Sequence, residues 1–163
     1  FEKISWEQWQ KDIGNSKEVY ENHELPRRET KYSAGYDFRS PIDFILKPEE
    51  TIKIPTGVKI AMNEGEMLML VVRSSMGIKW NVRMCNQIGI FEKDYYNNET
   101  NEGHAFLMLQ NHGTKDFVVK VGDRIAQGIF TTFLTVEDEE EINVVRTGGI
   151  GSTNEEEKVE NKK

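Results

Sequence analysis

Cysteine is almost absent from the 163 residues: Cys85 stands alone, so no disulfide can form within the chain. A reducing compartment, the cytoplasm, is therefore expected. Histidine is nearly as scarce, and His23, His104 and His112 are scattered without zinc-ligand spacing. Positive charge is in deficit, with 21 basic against 28 acidic residues and a formal net charge of −7. That balance argues against nonspecific binding to duplex DNA or an anionic membrane, and no stable nucleic-acid or membrane partner is expected. It leaves room for a locally basic pocket that takes a phosphorylated small molecule. No apolar run is long enough to span a bilayer, and the segment opening at Phe1 lacks a signal-peptide pattern. The length suits one domain.

What is present falls into zones. Ile4-Ser5-Trp6-Glu7-Gln8-Trp9 reads as a helix start, with Ser5 as cap and Gln8 returning the bond in a capping box. Ile4 and Trp9 form a hydrophobic staple, Trp6, Trp9 and Ile13 make one apolar stripe, and Gly14 ends the helix. Residues 1–24 are thus an N-terminal helical extension. From about Leu25 the helical period gives way to short β-rich runs at 33–38, 51–54, 57–62, 67–72, 81–85, 88–91, 104–109, 116–120 and 125–133. Turn residues separate them, among them Pro55-Thr56-Gly57 and Val121-Gly122-Asp123. Many short strands at near-regular spacing predict an all-β sandwich, jelly roll or barrel over 25–136, and the lack of βαβ alternation rules out a Rossmann fold. The acidic run in 137–145 reads as a solvated linker, 146–154 as a glycine-rich arm, and 155–163 as a charged, disordered tail.

Five stretches carry possible chemistry. Asn86 to Tyr96 alternates Ile88, Ile90 and Glu92 with Gly89, Phe91 and Lys93, so a strand with two faces ends in a lone carboxylate and two tyrosines. Gly89 omits a side chain, which lets a backbone or a flat ligand approach. Arg73-Ser74-Ser75-Met76-Gly77 offers a fixed cation and two hydroxyls, a phosphate clamp or a serine-capped turn. Gly122-Asp123-Arg124-Ile125-Ala126-Gln127 offers a turn anchored by hydrogen bonds and an ion pair, and an amide at Gln127. Ala34-Gly35-Tyr36-Asp37-Phe38 offers a carboxylate that could support a hydrated Mg²⁺ or lock a loop. Arg146-Thr147-Gly148-Gly149-Ile150-Gly151-Ser152-Thr153 offers backbone amides able to cradle phosphate oxygens.

In this order the five resemble the motifs of the trimeric dUTPase family, over nearly all of the chain from Leu25 to Asn154; the tryptophan-bearing start and an insertion at 97–103 resemble a variant found among Gram-positive bacteria and their phages. The resemblance implies a jelly-roll-like β-barrel subunit and a homotrimer with three shared active sites. It implies hydrolysis of dUTP to dUMP and diphosphate, with Mg²⁺ on the triphosphate. It implies Glu92 as general base, Tyr95 packed on deoxyribose, and Asn86, Gly89, Ile90 and Phe91 around uracil. Arg73, Ser74, Ser75, Gly77 and Gln127 would hold phosphates. Arg146, Ile150, Gly151, Ser152 and Thr153 would close over the nucleotide, and Asp37 would reach the metal through water.

Two positions depart from the family pattern. The family has Asp where Glu92 stands, which shifts the carboxylate by about one C–C bond, ~1.5 Å, and a misplacement of ~1 Å can lower a rate roughly 10²-fold. Ile150 replaces a stacking Phe, which loses about 0.5–1.5 kcal/mol of aromatic contact. A dCTP deaminase, the nearest enzymatic rival, resembles the chain in its Arg-Ser-Ser turn. Met108 stands where that family needs its catalytic Glu, and a thioether shuttles no protons. The rival from another class is a nucleotide sensor or regulatory binding protein, with the 97–103 insertion as a partner surface or a plain loop.

Overall fold

Residues 1–149 are described by a computed structural model. In chain order the elements are β1 (Glu2–Lys3), α1 (Trp6–Asp12), α2 (Lys17–Asn22), β2 (Tyr36–Arg39), β3 (Phe44–Leu46), β4 (Thr51–Lys59), β5 (Glu66–Val71), α3 (Ser74–Trp80), β6 (Val82–Met84), β7 (Gly89–Phe91), a one-turn 3-10 helix (Lys93–Tyr95), β8 (His104–Asn111), β9 (Phe117–Val119) and β10 (Arg124–Thr132). The all-β class is as expected. The described strands form two four-stranded sheets, ordered β1-β4-β8-β6 and β2-β10-β5-β7, and a two-stranded ribbon β3-β9. The arrangement is jelly-roll-like, but the sheets do not close into the expected barrel among the described residues.

Alternation builds the core. Phe91 and Gly89 point inward from β7 while Ile90 is half exposed; Leu68 and Leu70 do the same on β5. Ile54, Leu107, Leu109, Phe38 and Ile125 fill the space between the sheets at 0% exposure. Each such side chain contributes about 1.5–3 kcal/mol when fully buried.

Three readings of the sequence are corrected. Pro55-Thr56-Gly57 does not end a strand: β4 runs through it, with an irregular register against β8 between Pro55 and Lys59. The irregularity frees backbone groups. Thr56 Oγ1 donates to the Ala105 carbonyl (2.7 Å), the Gly57 N–H donates to His104 Nε2 (2.8 Å), and Ile4 N–H donates to the Gly57 carbonyl (3.2 Å). His23 Nε2 lies 2.9 Å from the Thr56 carbonyl, so the N-terminal extension docks where β4 needs partners. Gly57 has φ +73°, and a Cβ there would lie 2.3 Å from the Trp9 ring. Second, the extension holds two helices, since Ser16 caps α2. Third, Arg73 to Gly77 is not a serine-capped turn: Ser74, Ser75 and Gly77 belong to α3, and Arg73 precedes it without a side-chain cap bond.

Ser5 caps α1, accepting from the Gln8 N–H (3.1 Å), and the staple residues Ile4 and Trp9 are both fully buried. The capping box, however, is completed from elsewhere. Gln8 bonds Asp12 instead (2.8 Å), and the Ser5 N–H donates to Glu102 Oε2 (2.9 Å), a residue of the 97–103 insertion.

Candidate active site

The chain between Cys85 and Tyr96 makes a tight turn into the edge strand β7 and then into the one-turn helix. Pairing with β5 sets its register, Leu70 opposite Gly89 and Leu68 opposite Phe91. A cavity of about 230 Å³ opens there, lined by Asn86, Gly89, Ile90, Phe91, Glu92, Tyr95, Phe106 and Arg146. Five residues expected around a nucleoside, the expected base and the first residue of the arm thus share one concavity. Sequence reasoning missed Phe106, whose parity on β8 gave no signal of its own.

Tyr95 is the best-held wall of this cavity. Its ring meets Phe91 nearly edge-on, with centroids 5.5 Å apart and planes at 75°. Its hydroxyl donates to the His104 carbonyl (3.0 Å) and accepts from Asn101 Nδ2 (3.0 Å). Burial is the leading reason that its pKa is raised, so it stays a neutral phenol. Glu92 stands at the N-cap of the one-turn helix with its carboxylate exposed. Arg146 Nη2 lies 3.3 Å from Glu92 Oε2, and the Arg146 N–H donates to Asp94 Oδ2 (3.1 Å). The guanidinium sits 5.9 Å from the Tyr95 ring centre. The arm therefore begins on the hairpin of its own chain, after the exposed run 137–145.

The remaining expected phosphate residues gather at a second place. Asp37 on β2 lies opposite Gln127 on β10, and Gln127 lies opposite Val71 on β5. Arg73 Nε approaches Asp37 Oδ1 (3.3 Å), and Arg124 Nη1 donates to Asp37 Oδ2 (3.2 Å). Arg124 does not pair with Asp123 as the sequence suggested. Asp123 instead accepts from the Lys120 N–H (2.8 Å), while Arg124 reaches Asp37 and Glu29. Arg39 and Arg27 both reach Glu24 and Glu29, so four arginines face three carboxylates. Gly35 leaves room for Gln127: a Cβ would lie 2.7 Å from its Oε1. None of Asp37, Arg73, Arg124 or Gln127 lines the nucleoside-sized cavity. Ser74 and Ser75 follow Arg73 on α3. Ile150, Gly151, Ser152 and Thr153 lie outside the described residues, as does the tail expected at 155–163.

The insertion at 97–103 is a surface loop, with Asn97, Glu99 and Thr100 exposed, held by its own hydrogen bonds. Asn98 is buried; its Oδ1 accepts from the Thr100 and Asn101 N–H groups, and its Nδ2 donates to the Tyr95 carbonyl (2.9 Å). Gly103 has φ +77°, and a Cβ there would lie 2.5 Å from the Tyr95 carbonyl oxygen. The clue in the sequence was the asparagines at 97, 98 and 101, residues that bond their own turns and tolerate left-handed backbone.

A model of the dUTPase family matches residues 21–154. The chain belongs to the dUTPase family. A deoxyuridine 5'-triphosphate nucleotidohydrolase of Lactococcus lactis is 42% identical over 130 residues, which is 79% of this chain and 87% of the relative. The crystal structure of a dUTPase from Streptococcus mutans superposes with a TM-score of 0.67 at 36% identity, covering 77% of this chain and 94% of that one. A dUTPase variant from phage phi11 of S. aureus, whose structure details a coordinated structural Mg(II) ion, shares the fold at 21% identity and a TM-score of 0.63. It covers 76% of this chain and 92% of its own. The dUTPase fold thus carries both the cavity on β7 and the arginine cluster at Asp37.

Proposed function

We propose that this chain is a dUTP diphosphatase, taking dUTP and water to dUMP and diphosphate. The observation that carries the reading is the cavity that brings Glu92, Tyr95, Asn86 and Arg146 together. At about 230 Å³ it lies below the roughly 300–1,000 Å³ of sites that enclose a whole drug-sized ligand. It suits a base and sugar and leaves the triphosphate outside. Asn86 and the backbone from Ile90 to Glu92 read uracil, and Tyr95 packs on the deoxyribose. Arg73, Ser74, Ser75 and Gln127 bind phosphate oxygens, with Gly77 easing the close approach of the backbone. Arg146 closes from the arm with Ile150, Gly151, Ser152 and Thr153. Glu92 takes a proton from the attacking water; its carboxylate is exposed, with one oxygen paired to Arg146. The extra methylene relative to Asp sets how well that water is aimed.

Asp37 and Gly89 stand on the two edge strands of one sheet, three strand spacings or about 14 Å apart. That separation supports a homotrimer, in which the clamp of one copy faces the hairpin of a second; the arm a third copy would lend starts here, at Arg146, on the hairpin of its own chain. Among the described residues no group of three or more His, Cys, Asp or Glu could hold a metal, and both Asp37 oxygens face arginines. A Mg²⁺ would therefore have to be held mainly by the triphosphate, with Asp37, paired to Arg73 and Arg124, meeting it only through water. Bound there, the ion would supply charge neutralisation for attack on the α-phosphorus. No described helix is long and apolar enough to cross a membrane. The exposed thiol of Cys85 suits the reducing cytoplasm.

The test is diphosphate release from dUTP, UTP and dCTP with Mg²⁺, on the chain and on Glu92→Gln. Turnover of dUTP alone is expected, with Glu92→Gln binding dUTP about as tightly and losing 10²- to 10⁴-fold in kcat, the range of a general base. Hydrolysis that survives the substitution would remove Glu92 from its role. Tight binding without turnover in the unaltered chain would favour a nucleotide sensor instead.

A further inference from the structure

The 97–103 loop is more than an ornament of the hairpin. Three of its seven residues, Asn97, Glu102 and Gly103, have φ between 56° and 77°, a conformation that ordinary side chains avoid. It nevertheless closes on itself: the Asn97 N–H donates to the Glu102 carbonyl and the Glu102 N–H to the Asn98 carbonyl, each at 3.0 Å. The side-chain amides leave no ambiguity of orientation. Asn98 Oδ1 accepts from backbone N–H groups of Thr100 and Asn101, so its nitrogen faces the other way and donates to Asn101 Oδ1 (2.8 Å). Asn101 Oδ1 also accepts from the Gly103 N–H (3.1 Å). The Asn101 nitrogen is thereby the end that faces Tyr95, and it donates to the phenol oxygen. The phenol proton has one remaining partner, the His104 carbonyl, which only accepts.

We propose that the 97–103 loop is a specificity element, in which Asn101 fixes the Tyr95 ring against the cavity and so sets the preference for a deoxyribose over a ribose. This rests on reading the cavity as the nucleoside site. The ring is 7% exposed and packs in the core, edge-on to Phe91, with one side on the cavity. Packing sets the plane of the ring, and the two bonds to its hydroxyl set how far its tip leans toward the sugar. A wall that excludes one hydroxyl group must hold its place to a fraction of an ångström. A ring free to pivot about Cβ would make room for it. Asn101 does not touch the cavity and is a positioning residue.

The same loop ties this wall to distant parts of the chain. Glu102 caps α1 through the Ser5 N–H, and Lys11 Nζ of α1 lies 3.5 Å from the Thr100 carbonyl. Gly149 of the arm runs alongside: a Cβ there would lie 3.4 Å from both Asn101 Nδ2 and Thr100 Oγ1. The N-terminal extension is therefore a brace for the sugar wall.

The experiment compares kcat/KM for dUTP and UTP in the full chain, Asn101→Ala, Tyr95→Phe and the double variant, with thermal melts of each. The unaltered chain should prefer dUTP. Asn101→Ala should reduce the dUTP-to-UTP preference by about five- to tenfold, the fold-change that follows loss of one net hydrogen bond. Tyr95→Phe, which keeps the ring and every bond inside the loop, should reduce it by a similar factor. The double variant should be no worse than either single one, because Asn101 acts through the hydroxyl. If Asn101→Ala lowers the melting temperature while the preference holds, the loop is only structural and the proposal is overturned. Additive losses in the double variant overturn it as well. If Asn101→Ala does not fold, an unchanged preference in Tyr95→Phe overturns it alone. An unaltered chain that hydrolyses dUTP and UTP equally would instead refute the nucleoside reading, and the proposal with it.

Discussion

The cavity on β7 and the Asp37 cluster on β2 differ in what holds them. Around the cavity, Phe91 and Tyr95 are nearly buried, and every bond to Tyr95 comes from neutral amide or carbonyl groups. Around Asp37, four arginines and three carboxylates hold one another, and most of these side chains are partly exposed. Packing and neutral hydrogen bonds give the first half a shape that exists before a ligand arrives. The second half has its charges engaged already, so phosphate oxygens must compete with Asp37, Glu24 and Glu29 for guanidinium donors. Exposed ion pairs contribute little each, about 0–1 kcal/mol, so the exchange is easily made by a polyanion. On the proposed function, one half would select by shape and the other capture by charge.

The strongest way to separate the halves is Arg73→Ala. It removes the proposed bidentate donor for phosphate and leaves Asp37 with Arg124 alone. The kcat/KM for dUTP should fall about 10²- to 10³-fold, the usual loss when one preorganised donor to a developing charge is removed. The affinity for deoxyuridine, which has no phosphate, should change less than about twofold. Parallel steady-state kinetics and deoxyuridine titration check this; a joint loss would mean that the cluster shapes the cavity too.

Acid should act on the other half. His23, at the end of α2 in the extension, faces the Thr56 carbonyl, and burial lowers its pKa to about 4, with a smaller opposing effect of that carbonyl. His104 is lowered as well, chiefly by burial and against the pull of Asp12 at 2.6 Å. The unfolded chain takes up a proton at His23 near pH 6.5 and the folded chain only near 4. Stability from the neutral ring is therefore whole above 6.5 and lost as pH falls from there to about 4, up to about 3 kcal/mol from His23. Protonating His104 at Nε2 would also cost the Gly57 N–H its acceptor. Melting temperature should drop between pH 7 and pH 4.5, and His23→Gln should flatten that drop. The loss should appear first as loosening of α1 and α2, hence at the Tyr95 wall rather than at Asp37.

Much of this was legible in the residues. The alternation from Ile88 to Lys93 predicted a strand with two faces, because a two-residue period admits only two; the fold decided that Gly89 and Phe91 are the inward pair. Ser5, Ile4 and Trp9 predicted the first helix and its staple, since a cap is local chemistry. Long-range partners were not legible. Nothing near Gln8 says that Glu102, 97 residues after Ser5, completes the cap. Likewise Thr56 and Gly57 read as a turn because their backbone groups lack strand partners, and only the fold supplies His23, His104 and Ile4 to satisfy them. Arg124 beside Asp123 read as an ion pair, yet Asp123 closes the turn onto the Lys120 N–H while Arg124 opens β10 and reaches Asp37 on the paired β2.

Phe106 gives the finest test of the division, because it joins the cavity without touching phosphate. Its ring lies under Lys53 Nζ, 4.1 Å from the centroid, and 4.2 Å from the His104 ring. Phe106→Leu keeps apolar cover but removes an aromatic face, a loss of about 0.5–1.5 kcal/mol. Deoxyuridine affinity and the KM for dUTP should weaken by the same factor, roughly three- to tenfold, with kcat unchanged, the pattern of an interaction made equally in ground and transition states. A fall in kcat at constant KM would mean that the ring instead sets the aim of Glu92 across the cavity. The shape-selecting half would then take part in the chemistry as well as in recognition.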